Sequence, residues 1–383
     1  MRFHMTGLAL SNQAKAQFIF MLLLSTLMFG VIGFVLISLM QFVSMQSFAE
    51  ETVHKHGIAE MQSSRLGGAA TIFGGILVLY ALDLTGRQAS GHGPLHIDWF
   101  TWIPVIGCMM LGLVEDIRNQ SLSPAFRLLI KICLFGFVLL QWPELIPNSV
   151  GVPILDQLLS IPVLAFILTL IFCVGFLNAV NMADGANGLV SGIAVLSFTI
   201  FVNEFDGHGF VAVLISCSVF LIFNVISGRL FLGDAGAYGV GASLLITALV
   251  LYARDMTSLF FLAALLSYPC IDFLVSIVRR LIKGMPVTQP DNDHLHNRIH
   301  FQFRKIFKSK NMANSASGLS IAAASSGTVL CGYYANWWPV TSEQWGWVFL
   351  GQCVLYFVAY YLTNKKPVKA KTTQVLKPHS VSL

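Results

Sequence analysis

Eleven apolar runs, most of them long enough to cross a bilayer, leave this chain few ways to fold. A helix needs about 20 apolar residues to span the hydrocarbon core. Cores of such runs lie near 18–43, 66–84, 99–114, 128–142, 158–177, 188–203, 209–227, 237–252, 258–278, 317–338 and 345–363. The third and fourth are short. Within a bilayer every backbone N–H and C=O must be paired inside the chain, which selects helices for runs of this length. Only 11% of the 383 residues are charged and 56% are apolar, where a soluble chain carries about 25% charged residues. The sequence predicts an all-α, polytopic integral membrane protein with about eleven transmembrane helices, ten being the alternative count. The first run exceeds the roughly 7–15 residues of a signal-peptide core and reads as a span. The seven cysteines lie in or beside apolar runs without a CxxC pair, and read as small buried apolar residues.

Lys and Arg set the orientation, because cytoplasmic loops carry their excess. With the tail after Leu362 inside, nineteen of the 23 Lys and Arg fall on the cytoplasmic side. An odd number of spans then puts the N-terminus in the periplasm and the C-terminus in the cytoplasm. Lys15, beside the first span, is the local exception. The reading is one transmembrane domain over 1–363 with cytoplasmic loops at 44–65, 115–127, 178–188, 228–236 and 279–316, and a basic cytoplasmic tail over 364–383 suited to anionic lipid headgroups. The net charge of +5 resides in these flanks, so the lipid bilayer accounts for it and no nucleic acid is implied.

Four polar clusters fall on that one side: Glu115-Asp116; Asn178 through Leu189; Asn224 through Gly236; and Asp291 through Arg298, with His294, His296 and Asn297 between. Each has a plain structural reading. Glu115-Asp116 could be a solvated helix end, Asp184-Gly185 a turn, Gly233-Asp234 a helix cap, and His294-x-His296 ordinary loop residues. Four such accidents on one face are a poor joint explanation. Asn178 and Asn181, at i and i+3, also share one helix face. Asp272 lies inside an apolar run with Arg279 two turns on, which reads equally as a buried charge stripe or as the wall of a polar pocket.

The residue types point to phosphate chemistry. Carboxylates at a membrane face suit Mg²⁺, which keeps waters and shares its coordination with substrate phosphates. Arg and His suit phosphate oxygens, and glycines let backbone N–H groups approach an anion. A reaction at a membrane surface implies one water-soluble and one lipid reactant.

The ordered motifs resemble those of the polyprenyl-phosphate N-acetylhexosamine-1-phosphate transferases, glycosyltransferase family 4, which include the phospho-MurNAc-pentapeptide transferases. They run from Arg65-Leu-Gly67-Gly68 and Glu115-Asp116 through NxxNxxDGxxGL (Asn178 to Leu189), Asn224 and Phe231-Leu-Gly-Asp234-Ala-Gly236. They end with Pro269-x-x-Asp272, Arg279-Arg280 and Pro290-Asp-x-x-His294-Leu-His296-x-Arg298. The resemblance implies Asp234 as the main Mg²⁺ ligand (Mn²⁺ being the substitute), Asp184 as a second acid at the metal, and Asp116, beside Glu115, as the group that deprotonates or orients the lipid phosphate. It implies substrate contacts from Arg65, Asn178, Asn181, Asn187, Asn224, Phe231, Asp272, His294, His296 and Arg298, with Phe231 stacking on uracil. Three positions depart from the family pattern: Glu115 where Asp is usual, Asn187 where a second Asp is frequent, and Asn297 where a third His is frequent.

The expected function is transfer of an N-acetylhexosamine 1-phosphate from a UDP-sugar, UDP-GlcNAc or a related UDP-N-acetyl sugar, to undecaprenyl phosphate. UMP would be released and O-antigen or another surface glycan begun, at the inner membrane of a bacterium. A second copy of the chain is carried as a candidate partner. The peptidoglycan transferase is the alternative within the family. A secondary transporter or lipid flippase is the alternative outside it, disfavoured because the acids gather at one face and no inverted repeat is visible. A non-catalytic membrane scaffold would leave the clusters unexplained.

Overall fold

The computed structural model describes residues 11–46, 50–51, 63–84, 102–118, 122–205, 207–286 and 293–363. The tail over 364–383, most of the loop expected at 44–65, and Pro290-Asp291 of the last motif lie outside the described residues.

The elements in chain order are α1 (Asn12–Ser44), β1 (Glu50–Glu51), β2 (Ser63–Ser64), α2 (Gly67–Leu84), α3 (Trp102–Ile117), α4 (Pro124–Gln141), α5 (Pro153–Leu159), α6 (Pro162–Ala183), α7 (Leu189–Glu204), α8 (His208–Ser227) and α9 (Gly233–Ala253). They continue with α10 (Leu259–Leu265), α11 (Ser267–Ile282), α12 (Leu295–Phe303), α13 (Lys310–Ala322), α14 (Thr328–Tyr334) and α15 (Trp345–Leu362). β1 and β2 form a two-stranded antiparallel pair. Seven helices among the described residues are long and apolar enough to cross a membrane, or eight if α10 and α11 are one span. The all-α membrane architecture is as the sequence predicts, and each of the eleven apolar runs falls on helix.

Three runs are not straight spans. α10 and α11 meet at 78°. Pro269 explains the break: it has no N–H, and its ring would strike the Leu265 carbonyl of a continuous helix. α13 passes into α14 through a π turn, Ala323–Gly327. The largest difference is α1, which folds back at Gly30 (φ 61°, ψ −142°), a conformation outside the helix. The two limbs press together where Gly33 meets the Ser25 backbone.

That fold-back brings the two ends of α1 together. Gln17, near the start of α1, donates to the Ile226 carbonyl (3.3 Å), and Gln41, near its end, accepts from Arg229 (3.0 Å). Both ends of α1 therefore lie beside the α8–α9 connection, on the face that carries the polar clusters. The physical cause is one glycine at positive φ, which reverses a helix that hydropathy reads as a single long run. The cysteine expectation is also only partly met: Cys133 and Cys331 are exposed on outward helix surfaces.

At the centre is α9, whose apolar window is 89% buried. It is rich in small residues, Gly233, Ala235, Gly236, Ala237, Gly239 and Gly241, and α2, α3 and α6 pack on it. Small residues let helix backbones approach where lipid supplies no hydrophobic drive between helices. The crossing of α2 on α9 is the closest: a Cβ on Gly68 would collide with Gly236. The outer helices instead expose large apolar side chains, such as Leu27, Val31, Leu140, Ile171 and Tyr361, the surface expected toward lipid.

Candidate active site

The start of α9 organises an acid corner. Gly233 has φ +69°, readily available to glycine, and a side chain there would meet the Arg65 carbonyl and the Asp116 carboxylate. The turn aims the first N–H groups of α9 at Asp116, at the end of α3. Asp116 accepts from the Asp234 N–H (3.0 Å) and the Ala235 N–H (2.8 Å). It therefore fills the role of a helix cap and places a negative charge at a helix N-terminus. The same turn presents the Asp234 side chain toward Asn181, whose amide donates to it (3.1 Å). Arg127, in the first turn of α4, lies 3.1 Å from Glu115 and 3.7 Å from Asp234. Glu115 also accepts from the Leu122 N–H (3.2 Å).

These acids differ in access. Glu115 and Asp116 are fully buried, whereas the Asp234 side chain is 21% exposed. Asp116 lies beyond the apolar run that ends at 114. Burial, and then the neighbouring Asp234 carboxylate, push its carboxyl up to about 7, while the two N–H groups and Arg65 act the other way. One turn back on α6, Asn178 accepts from the Lys131 ammonium, which also lies 4.3 Å from the centre of the Tyr238 ring. The two asparagines of one helix face thus serve different partners: Asn181 holds the acid corner and Asn178 a buried lysine.

Between α6 and α7, the Asp184–Gly188 turn is stapled to the α8–α9 connection. Asn224 accepts from the Gly188 N–H (2.7 Å) and donates to the Leu230 carbonyl (2.8 Å) and to Asn187 (3.3 Å). Asn187 donates to Asn311 (2.8 Å). The Gly67 and Gly68 N–H groups, unpaired within α2, donate to the Phe231 and Leu232 carbonyls (3.0 and 2.8 Å). Phe231 and Asn187 border a cavity of about 350 Å³.

A histidine arm closes over this turn. Asp272, on α11, accepts from the Leu295 N–H (3.1 Å) and the Tyr356 hydroxyl (2.7 Å), and lies 2.6 Å from His294 Nδ1. The His294 and His296 rings stack with centroids 5.3 Å apart. The His296 N–H donates to the Tyr268 oxygen (3.2 Å), so the Tyr268 hydroxyl proton is free to donate to His296 Nδ1 (3.1 Å). A proton donated by Tyr268 to Nδ1 puts the imidazole proton on Nε2, which packs against Gly185. Burial lowers the His296 pKa to about 4, so the ring is a neutral N–H donor beside the Asp184 turn. Arg298 grips Asp293 with two hydrogen bonds (2.7 and 2.9 Å) and the Tyr360 carbonyl with a third (2.9 Å), its guanidinium 3.6 Å from the Tyr360 ring centre.

Glu115, Asp116, Asn181 and Asp234 thus converge directly. Asn187, Asn224 and Phe231 form an adjoining shell, and His296 joins the histidine arm to the Asp184 turn. Asp272 and Arg298, expected to touch substrate, instead spend their hydrogen bonds on the protein. Arg279 lies 3.9 Å from the Asp293 carboxylate. In the sequence Arg127 and Lys131 count only toward the cytoplasmic excess of positive charge, although their i, i+4 spacing at the start of an apolar run signals a shared helix face. Tyr268, Tyr356 and Tyr360 carry no such signal, being aromatic residues in apolar helices.

Among the described residues no three His, Cys, Asp or Glu side chains form a group that could hold a metal. The donor set nevertheless fits Mg²⁺, which needs only one or two carboxylates when substrate phosphates and water complete its shell. Asp234 has a partly exposed carboxylate for that purpose. The carboxylate of Asp116 is already engaged by backbone N–H groups.

Comparison with known proteins agrees with the resemblance over part of the chain. Residues 99–252 match the model for glycosyl transferase family 4. The resemblance carried by the motifs is borne out. The family 4 match runs to the last turn of α9 and contains every residue of the acid corner; the histidine arm lies beyond it. The chain is 27% identical to a Bacillus subtilis protein named "Probable undecaprenyl-phosphate N-acetylglucosaminyl 1-phosphate transferase", over 61% of this chain and 65% of that protein. It is 29% identical to the decaprenyl-phosphate N-acetylglucosaminephosphotransferase of Mycobacterium leprae, over 61% of this chain and 66% of that protein. It is 24% identical to a phospho-N-acetylmuramoyl-pentapeptide-transferase of Clostridium perfringens, over 48% of this chain and 60% of that protein. The aligned stretch spans less than two thirds of each of these relatives.

Proposed function

We propose that this family 4 chain transfers N-acetylhexosamine 1-phosphate from a UDP-sugar to undecaprenyl phosphate, releasing UMP, at the cytoplasmic face of a bacterial inner membrane. The product is the lipid-linked first sugar of an O-antigen or related surface glycan. The observation that carries the reading is the corner where the exposed edge of Asp234 meets Asn181 and Arg127, with two further carboxylates buried behind it. The names of the relatives supply the substrate class, a polyprenyl phosphate and an N-acetyl sugar phosphate.

In this reaction an oxygen of the lipid phosphate bonds to the β-phosphorus of the UDP-sugar, and the anhydride bond to the α-phosphate breaks. Mg²⁺, or Mn²⁺ in its place, held by Asp234 with Asp184, would supply neutralisation of the diphosphate charge. Asn181 and the two N–H bonds from the first turn of α9 to Asp116 fix the Asp234 side chain, so that the site needs little rearrangement as charge develops. Arg127 adds a positive charge beside the same carboxylate. His296, neutral and with its proton on Nε2, offers a donor to a phosphate or sugar oxygen above Gly185. Phe231 gives the uracil a stacking surface, with Asn187 and Asn224 shaping the adjoining wall. Asp272 and Arg298 act as positioning residues that hold the histidine arm.

The test is a donor panel with undecaprenyl phosphate as acceptor: UDP-GlcNAc, its C4 epimer, deoxy analogues and UDP-MurNAc-pentapeptide, with products read by mass spectrometry. Mg²⁺-dependent UMP release with a UDP-N-acetylhexosamine supports the reading, and turnover of the pentapeptide donor alone would replace it with the peptidoglycan reaction. Exchange of labelled UMP into UDP-sugar without lipid would instead favour a covalent aspartyl-phosphate route.

A further inference from the structure

Arg229 is a buried cation that the proposed reaction leaves without a task. It follows the left-handed Gly228 at the end of α8 and is 7% exposed. Among the described residues the guanidinium makes one hydrogen bond, from Nη2 to Gln41 (3.0 Å), and lies 5.9 Å from the centre of the Phe223 ring. Nε has no partner, and no carboxylate pairs with the group among the described residues. A buried, unpaired charge is expensive, and a neutral carboxamide offsets only part of that cost. Burial accordingly lowers the Arg229 pKa.

The surroundings suit an anion. Arg229 lines the 350 Å³ cavity with Phe231, Asn187, Asn311, Asn314 and, from the fold-back of α1, Gln17. No acid lines it. One more buried donor here lacks a partner, Gln41 Nε2 beside the guanidinium; the unpartnered Asn314 Oδ1 in the lining is an acceptor and offers a phosphate nothing. The acid corner is not part of this cavity, which is bordered instead by the start of α1, polar at Ser11, Gln13 and Gln17 and apolar on its exposed surface from Ile19 on.

We propose that Arg229 binds a phosphate group in this cavity, as a subsite distinct from the acid corner. A guanidinium with its Nε edge free presents the fork that matches a phosphate, and the carboxamides around it supply further donors. The phosphate has two possible sources, a nucleotide or the head of a polyprenyl lipid entering beside α1. The choice between them rests on the proposed reaction; the subsite itself does not.

The test uses the full chain in detergent, titrated with UMP, uridine and undecaprenyl phosphate, alongside Arg229→Met and Arg229→Lys. Loss of a charge-assisted contact should weaken a phosphate ligand by roughly tenfold to a hundredfold. We expect Arg229→Met to weaken UMP or undecaprenyl phosphate by that factor, to leave uridine unchanged, and to keep or raise the melting temperature of the unliganded protein, since an apolar side chain removes a buried charge. Loss for UMP alone identifies a nucleotide phosphate, and loss for the lipid alone identifies its head. Unchanged binding of both phosphate ligands overturns the inference. Arg229→Lys should give an intermediate loss because an ammonium lacks the fork, and it decides the matter if the methionine variant does not fold: unchanged binding in Arg229→Lys also overturns the inference. If the unmutated protein turns over no UDP-sugar yet binds phosphate through Arg229, the reaction fails and the subsite stands. If turnover occurs and phosphate binding ignores Arg229, the reverse holds.

Discussion

The acid corner and the histidine arm both bring charged motif residues together at one face, yet they are built for opposite ends. In the arm, Asp272 is matched by a backbone N–H, a tyrosine hydroxyl and an imidazole, and Arg298 by a carboxylate, a carbonyl and an aromatic ring. Little polarity is left over for a ligand except the outward nitrogens of the two histidines. In the corner, like charges are stacked behind one another, and burial pushes Asp116 up to about 7. One carboxylate, Asp234, keeps an exposed edge. The contrast teaches that a charged motif can mark a brace as readily as a binding group. What separates the two is whether its hydrogen-bonding capacity is already satisfied by the protein.

The strongest way to break this contrast is Asp234→Asn. An asparagine oxygen still accepts from Asn181, so the fold should survive with little change in melting temperature, while turnover falls by a hundredfold or more, on the order of what loss of a key electrostatic group costs. Substantial residual activity in a steady-state assay would remove Asp234 from the centre of the reaction. Next in size is Asp272→Ala. It strands His294, the Leu295 N–H and the Tyr356 hydroxyl, and should cost about 3 kcal/mol of stability, visible as a lower melting temperature together with a raised KM. Normal stability would mean the arm is not braced there. Tyr356→Phe, which removes one donor, should cost only about 1 kcal/mol. Phe231→Ala leaves the acids alone and should raise KM for the UDP-sugar by roughly tenfold, as stacking contributes about 1–3 kcal/mol; an unchanged KM would take away the uracil assignment.

The smallest effect is a difference in sign with pH. The Asp116 carboxyl is raised in the folded protein from 3.8 to about 7. Its contribution to stability is therefore fully present below 3.8 and lost as pH rises to about 7. His296 is lowered from 6.5 to about 4, so its contribution is present above 6.5 and lost as pH falls toward 4. Melting curves between pH 4 and 7 should show Asp116→Asn flattening one trend and His296→Gln flattening the other. If both variants shift the profile in the same direction, the two halves are not electrically distinct.

Much of this was legible in the residues themselves. Apolar runs of bilayer length read as helices because the bilayer allows little else, and each run falls on helix. The NxxNxxDGxxGL and FxGDxG strings marked the acid corner, because acids and carboxamides at the end of a span are costly without a purpose. Asp272 and Arg298 were harder. Their motif spacing is informative, but whether they face a ligand or the protein depends on Tyr356 and Tyr360, which arrive from α15 far along the chain. The burial of Arg229 is illegible in the sequence for the same reason: its partner Gln41 comes from α1.

Composition and spacing, then, determined that the chain is a helical membrane protein with its polar chemistry gathered at one surface, since both follow from local polarity in a nonpolar solvent. Only the tertiary structure decided that α1 doubles back and that α10 and α11 bend apart. It also decided which carboxylates stay open and which are consumed as braces. Those outcomes turn on a single backbone conformation at Gly30, a missing N–H at Pro269, and partners hundreds of residues apart or on other helices, none of which hydropathy or motif order can register.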